Sequence, residues 1–199
     1  MYKVRRAFVW LHRISHCRGF GVQSPWAYRL IRYVLNEHYP YYAYDELMLK
    51  IPDLDVITRR LCELYFRIAN YRQADVFIDF AAQTDAYDNY VKAGCHQTQV
   101  VRVSICENNN VQYSTLPKPV ELVRMSLKGD YSTFFESLLP LTDQNSIVVM
   151  EDINKGRKEK KFWQQVMNDP RTGVVFDLYY CGIIFFDHSR YKQNYIVNF

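Results

Sequence analysis

The sequence has no apolar run long enough to span a membrane, which takes about 20 consecutive residues. Its first residues mix charged with apolar side chains and offer no small-residue cleavage site, so we expect no secretory signal. The five cysteines are odd in number, widely spread and without a C-x-x-C pair. This pattern is typical of reduced thiols rather than of a disulfide framework. We therefore predict a cytoplasmic protein that has no membrane segment.

The common catalytic and metal-binding motifs are also missing: there is no G-x-S-x-G, no Walker loop and no H-E-x-x-H. His12 and His16 are one helical turn apart and next to Cys17, but no third ligand follows at a useful spacing. Cys95 precedes His96 without an acid to orient the histidine. The residues alone predict no metal site and identify no catalytic residue.

What the sequence does contain is a globular composition with an uneven charge. Hydrophobic residues make up 49% of the 199 residues and charged residues 23%, which suits one domain with a real core. The net charge is +4, yet residues 1–38 contain seven Lys or Arg and one Glu, which gives +6 and leaves −2 for the rest. Such a basic segment can contact nucleic acid, although a solvated helix face has the same composition.

The most informative stretch runs from Ala74 to Gly94. Val76–Phe80 is a short apolar run interrupted by Asp79, which is typical of a strand buried on both faces. Thr84 is placed to cap a following helix that ends just before Gly94. Strand, tight turn and helix, with an acid at the strand tip, predict a doubly wound α/β domain with its ligand site at that tip. However, the turn has no glycine that would let backbone amides approach a ligand closely.

Helices are predicted before this domain. One runs over residues 25–36, with Ser24 as its N-cap and a proline at its first position. A longer amphipathic helix is predicted over residues 54–70. We expect residues 1–72 to form an N-terminal helical segment packed on the sheet of an α/β domain at residues 73–199, the two sharing a core as one structural unit.

The spacing of the next two strands predicts a shortened sheet. Val100–Ile105 alternates apolar and polar residues, which indicates an edge strand rather than a central one. The next strand candidate is Val120–Ser126, so only residues 107–119 separate the two. Because a β–helix–β crossover takes about 30 residues, we infer that the usual third strand is missing together with its helices. An exposed edge favours pairing with a second copy, and we predict a homodimer through it.

After this interval the alternation of strands and helices resumes. A helix is followed by a buried strand at residues 146–150, and Glu151 and Asp152 come directly after that strand. Acids at the carboxyl end of a central strand lie where such sheets bind ligands. The apolar stretches at residues 173–186 and 195–199 predict antiparallel strands that close the sheet.

Several of these segments together resemble a bacterial family of class I S-adenosylmethionine-dependent methyltransferase-like proteins. In that family the first strand ends in an acid followed by a turn of the form E-I-G-x-x-x-G. Asp79 matches the acid, while Ala81 and Asp85 stand where the glycines would be. A family D-G-N-H segment has Ser126 in place of its Asp. The closest match in the chain is to the family pattern D-L-F-F-x-G-L-x-F-F, at residues 177–186.

This resemblance implies a Rossmann-like class I methyltransferase sheet, here without its usual third strand, and a cofactor site at the carboxyl edge of that sheet. The acid that ends strand two in such proteins is matched by Glu107, or by Cys106 if the register differs by one, although a Glu in that place is equally a turn residue. The candidate cofactor-binding residues are Asp79, Ala81, Glu107, Glu151 and Asp152.

The turn without glycine nevertheless points away from a retained cofactor. A ligand carboxylate normally rests near a helix N-terminus. Here Asp85 and Asp88 place the protein's own carboxylates at that end, and Ala81 adds a Cβ. We therefore predict that no cofactor binds and that the chain is a non-catalytic binding or assembly protein. The alternative is an active S-adenosylmethionine-dependent methyltransferase with a reduced cofactor site, and a nucleic-acid-binding module is a third hypothesis.

Overall fold

The structure is a computed structural model that describes residues 8–82, 84–103 and 116–199. A short helix at residues 8–12 and a 3-10 helix, Ile14–Gly19, come first. The later helices are α1 (Pro25–Leu30, which continues as a π-helix, Ile31–Leu35), α2 (Tyr42–Lys50), α3 (Val56–Arg72), α4 (Ala86–Gly94), α5 (Tyr131–Leu138, followed by a 3-10 turn, Leu139–Leu141) and α6 (Arg157–Asn168).

In the described part of the chain, seven strands form one mixed sheet. They are β1 (Val76–Phe80), β2 (Gln99–Val103), β3 (Leu122–Ser126), β4 (Ile147–Glu151), β5 (Val175–Asp177), β6 (Cys181–Phe185) and β7 (Asn194–Ile196). Their order across the sheet is β2-β1-β3-β4-β6-β5-β7. The first four strands in this order are parallel, and β6 is antiparallel to both of its neighbours.

Helices cover both faces of the sheet, and each face has its own core. On one face, α1, α3 and α4 pack with strand residues such as Phe77 and Leu122. On the other face, α5 and α6 pack with the next residue of each strand, Ile78 and Val123. Successive residues of a strand point to opposite faces, so a strand covered on both sides needs a continuous apolar run. This is the pattern that predicted β1 and β4 as buried central strands.

The predicted start of α1 is confirmed, and its end is tied to α3. The Ser24 side chain accepts a hydrogen bond from the backbone at the first turn of α1. At the π-helical end, Arg67 of α3 donates to the backbone oxygens of Val34 at 2.7 Å and of Leu35 at 3.3 Å. These bonds satisfy carbonyl groups that have no partner within the helix and fix the N-terminal helices against the sheet.

The helix predicted over residues 54–70 is α3, shifted by two residues at each end. Asp55 is its N-cap and accepts from the amides of Ile57 at 2.9 Å and Thr58 at 3.2 Å. Gln73 ends the helix in the left-handed conformation, with φ of 52°. The N-cap signal of an Asp before the apolar residues was available in the sequence, and it defines the observed start.

Among the described residues, β2 is the outermost strand on its side of the sheet. None of its residues is fully buried, which confirms the half-exposed pattern that the sequence predicted. Residues 104–115, which contain most of the interval where we predicted that a third strand is missing, lie outside the described residues.

The predicted arrangement of the last strand is wrong. We predicted that residues 195–199 add an antiparallel strand, but β7 lies parallel to β5, with Phe176 beside Tyr195. The chain does reverse direction between β6 and β7. However, β7 lies on the far side of β5, and β5 is itself antiparallel to β6, so the pair that forms is parallel.

The helix after β1 also differs from its prediction at both ends. Asp85 and not Thr84 occupies the N-cap position of α4, while the Thr84 hydroxyl accepts from the Ala86 amide at 3.2 Å. Gly94 is the last residue of the helix rather than the residue after it. A Cβ at Gly94 would collide with the backbone of Phe66, so this glycine permits the close approach of α4 to α3.

Residues before α1 are attached to the C-terminal part of the sheet. Arg13 donates to the Asp177 carboxylate at 2.8 Å and to its backbone oxygen at 2.9 Å. No helix among the described residues is both long and apolar enough to cross a membrane. The domain boundary between residues 72 and 73, the nucleic-acid contact of the basic N-terminal residues and the cytoplasmic location stay predictions.

Candidate functional site

The carboxyl edge of the sheet contains a buried cluster of charged side chains. β1, β3 and β4 are neighbouring parallel strands, so their carboxyl ends meet at this edge. The pairing register places Asp79 of β1 beside Arg124 of β3, and Glu151 ends β4. The exposed fractions are 0% for Asp79, 2% for Arg124 and 5% for Glu151. Doubly wound sheets bind ligands at this edge, so the cluster marks the candidate site.

Arg124 joins the two carboxylates. Its Nη1 donates to Asp79 Oδ1 at 2.6 Å and to the backbone oxygen of Phe80 at 3.3 Å. Its Nη2 donates to Glu151 Oε2 at 2.7 Å and its Nε donates to Oε1 at 3.2 Å. The pair with Glu151 is therefore bidentate, which is the arrangement in which a guanidinium holds a carboxylate most firmly.

Two tyrosines complete the hydrogen bonds of Glu151. Tyr65 of α3 donates to Oε1 at 2.8 Å, and Tyr87 of α4 donates to Oε2 at 3.3 Å. The Arg124 guanidinium also lies over the Tyr87 ring, 4.3 Å from its centroid, a cation–π contact. Burial, followed by the charge of Glu151, raises the pKa of both tyrosines, so both remain protonated donors.

The cluster has an excess of negative charge at neutral pH. Burial raises the pKa of Asp79 to about 6, and the Arg124 guanidinium offsets part of this effect. Burial alone would lower the pKa of Arg124. Its interactions with neighbouring groups, of which the charge of Glu151 is the largest, raise the pKa instead. Near pH 7 the Asp79 carboxyl is ionised, so two carboxylates and one guanidinium have a net charge of −1.

Two buried carboxylate oxygens at this edge, Asp79 Oδ2 and Asp88 Oδ1, have no hydrogen-bond partner among the described residues. Asp88 lies in the first turn of α4, and its charge contributes to the raised pKa of Asp79, so the two groups are near each other. Buried polar atoms are nearly always paired in native proteins. The two oxygens therefore mark places that a hydrogen-bond donor of a ligand would satisfy.

The turn after β1 keeps a glycine-like backbone at Ala81. This residue stands where the family has a glycine, and its φ is 59°, in the left-handed region. Its amide donates to the backbone oxygen of Val103 at 3.0 Å, which ties the turn to β2. A left-handed alanine costs about 1 kcal/mol, and such strain is found mostly at functional sites. Ala81 therefore adopts a conformation that glycine adopts more easily.

The carboxylates that we expected to repel a ligand have a counter-charge. Arg102 of β2 lies 2.7 Å from Asp85 Oδ1. The same guanidinium makes two hydrogen bonds with Asp88 Oδ2, one of them from Nε at 2.9 Å. Because one cation is shared by both acids, the repulsion of a ligand carboxylate at the start of α4 is smaller than the sequence predicted.

A carboxylate also lies close to the position of the acid that Ser126 replaces. Ser126 Oγ donates to Asp152 Oδ2 at 3.0 Å, and Lys155 Nζ is 3.9 Å from the same oxygen. Asp152 itself has φ of 65°, a second non-glycine residue in the left-handed region at this edge. The hydroxyl that stands in place of the acid in β3 therefore holds the carboxylate of the residue that follows β4.

The predicted site residues have three different outcomes. Asp79 and Glu151 meet in the buried cluster, while Ala81 and Asp152 each follow directly after a strand of it. Glu107 lies outside the described residues, so its contact stays a prediction. In the part of the chain that the structure describes, no group of three or more His, Cys, Asp or Glu could hold a metal ion.

Four residues of this site were missed by the sequence analysis: Arg124, Tyr65, Tyr87 and Arg102. The available signal was an arginine inside an apolar strand, since a cation placed there needs a buried counter-charge and Asp79 interrupts another such strand. The tyrosines gave no signal, because the chain has 17 of them.

Solved structures share this fold at low sequence identity. Cofactor-bound Rv0187 from MTB is 11% identical with a TM-score of 0.52, over 73% of this chain and 86% of that one. The O-methyltransferase from Bacillus cereus in complex with SAH is 11% identical with a TM-score of 0.50, over 77% and 94%. A putative O-methyltransferase from Klebsiella pneumoniae is 7% identical, with the same TM-score and coverage. No family model and no curated protein matches the sequence significantly.

These comparisons correct one prediction and confirm another. The prediction that no cofactor binds is wrong, because structures of this fold are cofactor-bound, with SAH in the Bacillus cereus protein. Its physical reasons are also weakened by the left-handed Ala81 and by the counter-charge of Arg102. The predicted α/β fold class and the resemblance that suggested it are confirmed: the chain has the class I methyltransferase fold.

Proposed function

We propose that the chain is an S-adenosylmethionine-dependent methyltransferase with a reduced cofactor site at the carboxyl edge of β1. The single observation on which this rests is the pair of buried, unpartnered oxygens among the described residues, Asp79 Oδ2 and Asp88 Oδ1. S-adenosylmethionine supplies a methyl group on a positively charged sulfur and also has an ammonium group and ribose hydroxyls. These groups are cations and hydrogen-bond donors, which two unpaired carboxylate oxygens would bind.

The charge of the site supports a cationic ligand. The cluster of Asp79, Arg124 and Glu151 has a net charge of −1 near pH 7, and an additional positive charge would neutralise it. Arg124 cannot supply that charge, because its guanidinium is already divided between the two carboxylates. In this proposal Asp79 and Asp88 hold the cofactor. Arg124 and the two tyrosines that donate to Glu151 hold Asp79 in place.

The neighbouring residues support a role for the same edge in methyl transfer. The left-handed Ala81 lies in the turn directly after the strand that contains Asp79. Asp152, which is positioned by Ser126, is a half-exposed carboxylate that can take up the proton released by a hydroxyl acceptor.

Titration calorimetry with S-adenosylmethionine tests the proposal. We expect saturable binding to the wild type and at least about tenfold weaker binding to Asp79→Asn, since a hydrogen bond to a charged group contributes about 1.5–3 kcal/mol. Binding should strengthen from about pH 5 to about pH 7, because Asp79 ionises in that range and attracts a cation. Methyl transfer itself is measured as release of the demethylated cofactor in the presence of hydroxyl-bearing acceptors.

Asp53→Asn is the matched control for this experiment. Asp53 is exposed and lies between α2 and α3, so the change removes the same charge without touching the site. Thermal unfolding of each variant shows that the folded protein was titrated. The proposal is overturned if the folded wild type shows no binding at about 1 mM ligand, or if Asp53→Asn weakens binding as much as Asp79→Asn.

We also propose that the chain forms a homodimer through the edge of β2. Support comes from the position of β2 as the outer described strand and from Val101, which is 38% exposed. Light scattering at about 50 µM should give twice the chain mass of 23.8 kDa. Val101→Lys should reduce this to one chain mass, whereas Val56→Lys, another exposed valine, should not. A monomeric wild type would contradict the proposal.

A further inference from the structure

A basic cleft lies beside the candidate site, beyond the carboxyl ends of β3 and β4. It has a volume of about 760 Å³ and lies between the N-terminal parts of α5 and α6. Four lysines line it: Lys128, Lys155, Lys158 and Lys161. Two acids line it as well, Asp130 and Glu159. The formal charge of its wall is therefore positive.

The protein neutralises only part of this positive charge. Asp130 is engaged as the N-cap of α5, where its side chain accepts from the Thr133 amide at 3.3 Å. The ion pair of Lys155 with Asp152 is long, at 3.9 Å, and half of the Lys155 side chain is exposed. Within the described part of the chain, the other three lysines of the cleft form no ion pair. An anion in the cleft would be attracted by several cations at once.

Two further features show the kind of anion that fits. Lys128 is half-buried, and burial followed by the charge of Lys155 lowers its pKa, while the charges of Asp152 and Glu151 offset part of this effect. Two aromatic residues also line the cleft: the rings of Tyr131 and Phe162 lie 5.0 Å apart, centroid to centroid. Aromatic side chains in this arrangement offer ring edges and faces to a flat ligand.

We propose that this cleft binds a phosphate monoester of an aromatic molecule. The phosphate would contact the lysines, and the ring would contact Tyr131 and Phe162. Four cations face three acids, Asp130 and Glu159 of the wall and Asp152 beside it, so an anion meets a net positive charge, which attracts a doubly charged anion more strongly than a single carboxylate. The identification of this ligand as the methyl acceptor rests on the proposed function, because the cleft adjoins Asp152 and Ser126. Binding of the anion itself does not depend on methyl transfer.

Titration calorimetry with phenyl phosphate, without S-adenosylmethionine, tests the inference directly. We expect saturable binding to the wild type and about tenfold weaker binding to Lys128→Gln, the loss of one charge-assisted contact. Lys160→Gln is the matched control, because Lys160 belongs to the same helix as Lys158 but does not line the cleft. Glu159→Gln should strengthen binding severalfold, since it removes a negative charge from the wall.

Each outcome decides one part of the inference. Equal effects of Lys128→Gln and Lys160→Gln, or no saturation at about 10 mM phenyl phosphate, would overturn the cleft as an anion site. Inorganic phosphate that binds as tightly as phenyl phosphate would overturn the proposed contact between the ligand ring and the aromatic residues. Sodium benzoate that binds as tightly as phenyl phosphate would overturn the proposed preference for a phosphate group. If phenyl phosphate binds as expected and S-adenosylmethionine does not, the inference stands and the proposed function fails. If S-adenosylmethionine binds and phenyl phosphate does not, the proposed function stands and the inference fails.

Discussion

Replacing Arg124 with methionine is expected to lower the free energy of unfolding by about 4 kcal/mol. The guanidinium lies between two buried carboxylates, Asp79 and Glu151, and both would remain in place without it. Removing one partner of a buried ion pair costs about 3–5 kcal/mol, because the remaining charge is neither solvated nor paired. Methionine keeps most of the aliphatic volume of the side chain, so the loss reports charge rather than a cavity. Urea denaturation of both proteins measures it.

The matched control is Arg171→Met. Arg171 pairs with Glu136 at 2.8 Å and with Asp169 at 2.6 Å, distances similar to those of Arg124. Its side chain is 51% exposed, however, and surface ion pairs contribute about 1 kcal/mol or less. A loss of the same size in the two variants would mean that burial of the Arg124 cluster does not determine its effect on stability.

A triple variant separates charge from packing at the same place. Asp79→Asn, Arg124→Met and Glu151→Gln together remove every charge of the cluster and leave neutral groups of similar size. Neutral amides are less costly to bury than unpaired carboxylates, so we expect it to regain about 2 kcal/mol relative to Arg124→Met alone. A triple variant less stable than the single one would show that the shape of the cluster matters more than its charge.

Much of the fold could be predicted from the sequence because it depends on local patterns. The largely apolar runs of β1 and β4 require cover on both faces, and α3 has a helical apolar face that follows an Asp N-cap. The alternating residues of β2 indicated an edge strand, as the structure shows for the described part of the sheet. These signals are contained in fewer than about twenty neighbouring residues each.

The candidate site could be predicted only in part because it depends on register. Asp79 and Arg124 are 45 positions apart in the chain, and they meet only because β1 and β3 are neighbours in one particular register. The same is true of Arg102, which pairs with two acids at the start of α4 from the strand on the other side of β1. A charge that looks unfavourable in the sequence acquires its partner from another strand.

The turn after β1 shows a second limit of local rules. Glycine is preferred in the left-handed region because it has no Cβ, and the absence of glycine therefore predicted a turn that does not let backbone amides approach a ligand. Ala81 nevertheless adopts φ of 59°, held by its hydrogen bond to the backbone oxygen of Val103. A preference of about 1 kcal/mol is smaller than the energy of the surrounding sheet, so the tertiary structure determines the conformation.

Gly182→Ala is the other substitution with a large expected effect, a loss of about 3 kcal/mol in the free energy of unfolding. Gly182 lies in β6 between Met150 of β4 and Asp177 of β5. The ring of Trp163 covers it so closely that an added Cβ would overlap three ring carbons. Trp163 is 1% exposed and its Nε1 donates to Asp177 at 3.0 Å, so the ring cannot move aside without losing that bond. Thermal and urea unfolding measure the loss.

Gly156→Ala and a double variant show whether the collision with Trp163 is the cause. At Gly156 an added Cβ would meet the end of the Glu159 side chain, which is free to move, so we expect a loss below about 1 kcal/mol. Trp163→Leu alone leaves a cavity. In the double variant, the methyl group added by Gly182→Ala would partly fill this cavity. The loss in the free energy of unfolding of the double variant should therefore be smaller than the sum of the two single losses. Strictly additive losses would show that the collision with Trp163 does not cause the loss of stability in Gly182→Ala. The glycine in the best-matching segment of the sequence is then explained by packing against one buried ring, since the covered strand has no room for a side chain there.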